Sequence, residues 1–282
     1  MLPRDEMMKQ HNIIITGCSS GIGRCVAEGL KQRGYRVFAT ARKKHDVDVL
    51  IESGFESVQL DLANSTSIHS AFATILDKAE GEIYALFNNG AYGQPGAVED
   101  LSRDVLRQQF EVNLFGTHEL TNLVLPVMRK QGYGRIIQNS SVLGLVALQF
   151  RGAYNTTKYA LEGLTDTLRL ELMGTNIHIS LIEPGPIESR FRNNALAAFE
   201  DNISVENSPF ENAYKKLIER LKAEGPVVPF TLGPEAVLDK VIHALESKKP
   251  KPRYYVTFPT YLFGTLKRVL SARIMDKILK KV

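Results

Sequence analysis

The sequence predicts an α/β protein: a doubly wound, mostly parallel Rossmann-type sheet with helices on both faces. Three observations lead there. Short apolar runs alternate with longer segments of helical period through the first two-thirds of the chain. Strand–helix units of that length require crossover connections, which build parallel sheets covered on both sides. A glycine-containing turn directly follows the first apolar run.

In chain order, Ile13-Ile14-Ile15 reads as a buried strand, and residues 21–33 carry Ile22, Val26 and Leu30 at helical spacing. A second strand is expected from Tyr35 to Thr40, a helix over about 44–53, and a third strand from Ser57 to Leu60. Residues 64–80 read as helix with Asn64 or Ser65 as N-cap. Ile83 to Phe87 is a fourth strand. Two long helical patterns, about 102–130 and 152–174, flank the strand Gly134 to Asn139. His178 to Glu183 makes a sixth strand, ended by Pro184-Gly185. Periodicity then weakens: residues 187–230 are polar-rich with scattered aromatics, and a helix is expected from Pro234 to Ser247. Neither an internal repeat nor linker composition marks off a second large domain.

Bulk properties exclude several classes. With 282 residues, one well-buried domain and an appendage are within reach. The net charge of +4 suits an anionic ligand. No zinc-finger spacing or RNA-binding aromatic signature accompanies it, so no nucleic-acid partner is expected. Cys18 and Cys25 offer no disulfide framework and, without nearby histidines, no metal site. The N-terminus, MLPRDEMMKQHN, lacks the apolar core of a signal peptide. No stretch reaches the roughly 18 apolar residues of a spanning helix. A reducing, cytoplasmic setting is the expectation.

The first chemical feature is Thr16-Gly17-Cys18-Ser19-Ser20-Gly21-Ile22-Gly23, between the first strand and first helix. In that place Gly17 allows a tight turn, Gly21 permits close approach of a pyrophosphate, and Gly23 lets helix pack on strand. Ser19, Ser20 and Ile22 complete the loop, and the helix N-terminus offers free N–H groups to an anion. An acid after the second strand would bind a ribose 2′-hydroxyl. Here Phe38-Ala39-Thr40-Ala41-Arg42-Lys43 has none, and the Arg42 guanidinium fits a 2′-phosphate, so the expected cofactor is NADP(H). Solvent-exposed cations capping a strand end are the plainer account of Arg42 and Lys43. Asp61-Leu62, after the third strand, places an acid that is equally a turn residue starting the next helix.

The second feature is Ser141, Tyr154 and Lys158, spaced Ser-x12-Tyr-x3-Lys. Tyr154 and Lys158 lie four apart on a predicted helix, hence on one face. Ser141 follows a strand ending at the same sheet edge. A neighbouring ammonium favours phenolate and lowers a tyrosine pKa, so Tyr154 can trade a proton with an alcohol or carbonyl oxygen. Ser141 can hydrogen-bond that oxygen.

With these residues the chain resembles the short-chain dehydrogenase/reductase family, whose loop is Thr-Gly-x-x-x-Gly-x-Gly. The resemblance spans roughly residues 12 to 190. It implies that Lys158 also holds the nicotinamide ribose, that Asp61 and Leu62 contact adenine, and that Asn113 is a fourth catalytic residue anchoring a relay water. Pro184, Gly185 and Ile187 match the family segment lying against the nicotinamide. Asn88 and Gly90 stand where the family reads Asn-Asn-Ala-Gly and supports the cofactor ribose; this chain has Asn88-Asn89-Gly90-Ala91, an inversion bearing on the local turn. Ser20 occupies a position where some NADP-specific members carry a base. Ala39-Thr40-Ala41-Arg42 and the long C-terminal extension are similar to the retinol and 17β-hydroxysteroid dehydrogenase branch.

The resulting expectation is an NADP-dependent catalytic domain over residues 1–250, with a substrate loop at about 187–230, and an extension at 251–282. Leu143, Leu145, Val146, Leu148, Phe150, Phe191, Phe199 and Phe210 are expected near the substrate, an apolar aldehyde, ketone or alcohol. Other partners would be further copies of the chain, as dimer or tetramer. The basic amphipathic stretch 253–282 has three uses open to it: lid, subunit interface or peripheral membrane contact. The rival readings are a non-catalytic NADP-binding redox sensor on the same fold and a membrane scaffold. The intact Ser141-Tyr154-Lys158 set argues against the first, the glycine loop against the second.

Overall fold

A computed structural model describes residues 11–282. The signal-peptide reading of the N-terminus falls almost wholly outside the described residues. The sheet has seven parallel strands: β1 (Asn12–Ile15), β2 (Arg36–Ala41), β3 (Glu56–Gln59), β4 (Ala85–Asn88), β5 (Gly134–Asn139), β6 (Ile177–Glu183) and β7 (Arg253–Tyr255). Their order is β3-β2-β1-β4-β5-β6-β7. The order reverses between β1 and β4, which pair Ile13 to Ala85 and Ile15 to Phe87. At such a switch point the loops leaving the two strands diverge and open a crevice at the carboxyl ends.

Alternation along β1 builds two cores. Ile13 and Ile15 face one side with Val26 and Leu30 of α1 (Gly21–Gln32), Leu50 of α2 (Lys44–Glu52) and Val241 of the helix Glu235–Glu246. Ile14 faces the other with Ile68 and Ile75 of α3 (Ser65–Lys78) and Leu120 and Val124 further along. A strand buried on both faces must be apolar throughout, hence the unbroken Ile triplet. Asn64 caps α3, accepting from Ser67 N–H at 3.0 Å.

The pattern at 102–130 is not one helix. It comprises α4 (Arg103–Phe110), a wide π turn at Glu111–Phe115, and α5 (Gly116–Gln131). Two amides hold this region to the loop after β4. Gln109 Nε2 and Asn113 Nδ2 both donate to the Tyr92 carbonyl at 2.9 Å. Gly116 lets α5 approach the chain before α3: a Cβ there would stand 1.9 Å from the Leu62 carbonyl oxygen. Apolar periodicity reports a helical face and is blind to one extra residue in a turn.

After β5 comes α6 (Gly152–Glu171). The polar-rich segment 187–230 then contains two helices that periodicity did not reveal, α7 (Phe191–Asn202) and α8 (Glu211–Lys222). They make a third apolar cluster of their own: Phe199, Tyr214, Leu217 and Leu221 close around Ala97. The Tyr214 hydroxyl accepts from Ala97 N–H at 2.9 Å. α9 is the helix Glu235–Glu246.

The extension begins inside the sheet. β7 pairs with β6, Ile182 opposite Tyr254, so the last strand lies beyond residue 250. Arg253 reaches Glu183 at 3.2 Å, Glu162 at 3.1 Å and Asp166 at 2.8 Å. Burial and the Glu162 charge push the Glu183 carboxyl well above the usual carboxylate range, and Arg253 opposes them. The chain then continues as α10 (Phe258–Val269) and α11 (Ala272–Leu279). No helix among the described residues is long and apolar enough to cross a membrane.

Candidate active site

A cavity of about 760 Å³ opens at the carboxyl ends of β1, β4, β5 and β6. The glycine loop forms one wall. Gly17 and Gly21 have φ of +71° and +55°, the left-handed region where a side chain is strained. Gly23 packs so tightly that a Cβ would sit 2.2 Å from the Gly17 carbonyl oxygen and 2.6 Å from Asn89 Nδ2. Ser20, at the N-cap of α1, makes no side-chain bond to the first turn. Cys18 N–H donates to the Thr40 carbonyl at 2.8 Å and fixes the loop to β2, and the N-terminus of α1 meets the cavity beside it. Gly23→Ala is expected to lower unfolding free energy by about 2–3 kcal/mol, read from a urea titration, because the nearest atom is backbone and cannot swing aside.

The loop is tied to β4. Asn89 and Gly90 N–H groups donate to Thr16 Oγ1 at 2.9 and 2.8 Å. At Gly90, where the order is inverted, a Cβ would meet Leu62 Cδ1 at 2.9 Å, the end of a side chain that can shift, and Thr16 Oγ1 at 3.2 Å. Asn89 also accepts from Asn139 Nδ2 at 2.9 Å and donates to the Thr16 carbonyl at 3.0 Å.

Asn139 leads to the opposite wall. Its carbonyl accepts a 2.7 Å bond from Lys158 Nζ. Sequence reasoning missed Asn139 and Asn89, and a bond to a backbone carbonyl leaves no mark on residue type. One further turn along α6, Glu162 lies beneath the lysine and favours its charge. Burial acts more strongly and brings the Lys158 pKa down from 10.5 to about 8. Its ammonium sits 5.5 Å from the Tyr154 ring centroid.

Tyr154 is 8% exposed and meets Phe191 of α7 edge-on, ring centroids 5.3 Å apart. Burial raises its pKa above that of an ordinary tyrosine, and the Ser141 hydroxyl pulls the other way. The direction is opposite to the lowering expected from a neighbouring ammonium. At neutral pH Tyr154 is the neutral phenol. Ser141 Oγ accepts from Leu143 N–H at 3.1 Å, which orients the hydroxyl. Val142 N–H donates to the Pro184 carbonyl at 2.8 Å, joining this turn to the Pro184-Gly185 segment.

The cavity wall brings together Gly17, Ser19, Ser20, Gly21, Ile22, Gly90, Ser141, Tyr154, Lys158, Pro184, Gly185 and Ile187. Gly23, Arg42, Asp61, Leu62, Asn88 and Asn113 lie off it. Arg42 stands exposed just beyond β2, with no carboxylate paired to it among the described residues. Asp61 makes the turn, accepting from Ala63 N–H at 3.0 Å. Asn88 donates to Thr121 Oγ1 at 2.9 Å. Asn113 is 1% exposed, with both amide atoms on the Tyr92 backbone and a 3.2 Å bond to Thr157 Oγ1.

Of the apolar residues expected at the substrate, Leu143, Val146, Leu148 and Phe191 line the cavity. Leu145, Phe150, Phe199 and Phe210 do not; the last three pack around Tyr214 in the cluster formed by α7 and α8. The extension supplies Phe258, Leu262 and Phe263, with Phe258 and Phe230 in contact at 4.8 Å across the mouth.

The family model for short chain dehydrogenases matches residues 11–199. The chain belongs to the short-chain dehydrogenase family. It is 44% identical over 271 residues to "Uncharacterized oxidoreductase YbbO" of Escherichia coli strain K12, covering 96% of this chain and 94% of that one. It is 31% identical to "NADPH-dependent 3-dehydrocapnine reductase" of Ornithobacterium rhinotracheale, covering 95% of each. Among solved structures, a short-chain dehydrogenase from Streptomyces avermitilis superposes with a TM-score of 0.76 at 27% identity, covering 96% of this chain and 93% of that one. The family model stops within α7, so α8 and α10, which line the short-chain dehydrogenase cavity with Arg220, Leu221, Phe258 and Leu262, fall outside it.

Proposed function

We propose that this protein is an NADP(H)-dependent oxidoreductase that reduces apolar aldehydes or ketones, or oxidises the corresponding alcohols, with Tyr154 as acid/base. The observation that carries the reading is a buried neutral phenol beside Ser141 and Lys158, in one cavity with a backbone cradle for an anion. The residues fit a dinucleotide. The Gly17–Gly23 loop and the N-terminus of α1 would hold its pyrophosphate, Arg42 its 2′-phosphate, and Asp61 and Leu62 its adenine. Pro184, Gly185 and Ile187 would border the nicotinamide. Lys158 Nζ has one bond, to Asn139, and keeps donors for ribose hydroxyls.

When bound, the nicotinamide supplies or accepts the hydride. In reduction Tyr154 Oη gives its proton to the substrate oxygen, Ser141 donates a hydrogen bond to the same oxygen, and the Lys158 ammonium stabilises the phenolate left behind. At neutral pH Tyr154 is in the donating form that reduction requires. Leu143, Val146, Leu148 and Phe191 exclude water from the reacting oxygen.

The test is nicotinamide absorbance with NADPH and NADH against aldehydes and ketones of graded chain length. Turnover with NADPH, rising with chain length, is expected; no turnover on any carbonyl or alcohol would revive the redox-sensor reading. Arg42→Ala is expected to raise KM for NADPH by about 10–100-fold while moving KM for NADH little, because only NADPH presents the phosphate. Equal effects on both cofactors would remove the NADP assignment.

A further inference from the structure

The cavity is apolar in part and strongly basic in part. Arg151, Lys158, Arg190, Arg192, Arg220 and Lys281 line it, against Glu188 as the one carboxylate side chain on the wall among the described residues. Lys158 has its place in the proposed chemistry. Arg151 and Arg220 do not.

Arg151 is the N-cap of α6, three residues before Tyr154. Its backbone bridges to Gly96, and the neighbouring Phe150 packs edge-on against Phe210 and Tyr214. It therefore sits between the tyrosine and the cap formed by α7 and α8. The glycine loop and Arg42 follow β1 and β2 instead, so the expected cofactor contacts give this arginine no partner. Its guanidinium donates to the adjacent Phe150 carbonyl at 3.2 Å. Among the described residues, neither Arg151 nor Arg220 has a carboxylate within 4.0 Å.

Arg220 stands apart from its own helix in the same way. On α8, Lys215 pairs with Glu211 and Lys222 with Glu200. Arg220 faces the cavity, close enough to Arg151 that its charge, added to burial, brings the Arg151 pKa down to about 10. Arg192, also on the cavity wall, donates to the Ala223 carbonyl at 2.8 Å and to the carbonyls of Arg220 and Gly225. Carbonyl dipoles orient a guanidinium and leave its charge in place. Two like charges converging in a partly buried pocket cost free energy in the empty protein, and an oxyanion bound between them reverses that cost.

We propose that Arg151 and Arg220 bind the acidic head group of an amphipathic carbonyl substrate, whose apolar chain lies against Phe230, Phe258 and Leu262. This rests on the carbonyl-reductase reading above. The shared chemistry is a terminal oxyanion (carboxylate, sulfonate or phosphate) that accepts bidentate bonds from arginine.

The test compares a long-chain ω-oxo carboxylate with its methyl ester, using NADPH and the full chain. The acid is expected to show kcat/KM about 10–100-fold above the ester, the range a charge-assisted contact supplies. Arg151→Gln and, separately, the exposed Arg220→Gln are expected to bring that ratio towards one through KM for the acid. A long-chain alkylsulfonate and an alkylphosphate, titrated as competitors, show which oxyanion fits best. A ratio near one in the wild type overturns the proposal. A separate arm measures dodecanoate binding by calorimetry without cofactor. Dodecanoate binding that weakens in both variants, with no turnover of either substrate, upholds the anion site and sinks the reductase reading. Dodecanoate binding unchanged in both variants overturns the anion site alone.

Discussion

Tyr154→Phe is expected to lower kcat for carbonyl reduction by about 10²–10⁴-fold, the range that a positioned proton donor contributes. Phenylalanine keeps the buried ring and its edge contact with Phe191, so the change is confined to the hydroxyl. Stability should move by no more than about 1 kcal/mol, the net worth of one buried hydroxyl. KM for NADPH should stay within about twofold, since a proton donor acts in the transition state rather than in cofactor binding. Steady-state kinetics with a thermal melt of the same preparation makes the comparison. Turnover within tenfold of wild type would mean that the proton comes from elsewhere.

Lys158→Met is expected to separate stability from activity. The folded pKa of Lys158 lies near 8 against 10.5 in the unfolded chain, so burying its charge costs up to about 3 kcal/mol. The cost is fully present below pH 8, where both states are protonated. It declines as pH rises from about 8 towards 10.5, and is gone where both states are neutral. Methionine removes the charge but leaves the Asn139 carbonyl without its 2.7 Å partner, which offsets part of the gain. The variant should therefore be about 1–2 kcal/mol more stable at pH 7 without cofactor, with the advantage shrinking above pH 8. Its turnover should fall by at least about 100-fold, because the phenolate left by Tyr154 loses its counter-charge. In the wild type, kcat/KM for reduction should fall as pH rises through about 8, as Lys158 loses its proton. A denaturant titration at pH 7 and pH 10 checks the first claim; destabilisation at both would show that Lys158 is held by structure rather than against it.

How much of this was legible depended on the range of the interaction. The strand Ile13-Ile14-Ile15 and the helix at 21–32 could be read because local periodicity records which faces are buried. The glycine loop and the Ser141, Tyr154, Lys158 spacing could be read because short-range geometry fixes them. The helices α7 and α8 were hidden because their apolar residues face a small cluster of their own, Phe199, Tyr214 and Leu217, rather than one long stripe. The π turn at Asn113 was hidden because its cause is the Tyr92 backbone, on another segment. The tail's composition allowed three uses; β7 completes the sheet, and Phe258 and Leu262 border the cavity while remaining exposed.

By itself, then, the sequence determined the parallel α/β fold, the backbone cradle after β1, and which three side chains share a site. The tertiary structure decided their electrical state. Nothing in residue spacing reveals that burial raises the Tyr154 pKa, or that Arg151 and Arg220, 69 positions apart, line one cavity. Desolvation and long-range charge depend on what the rest of the chain packs around a group, and that information exists only once the chain has folded.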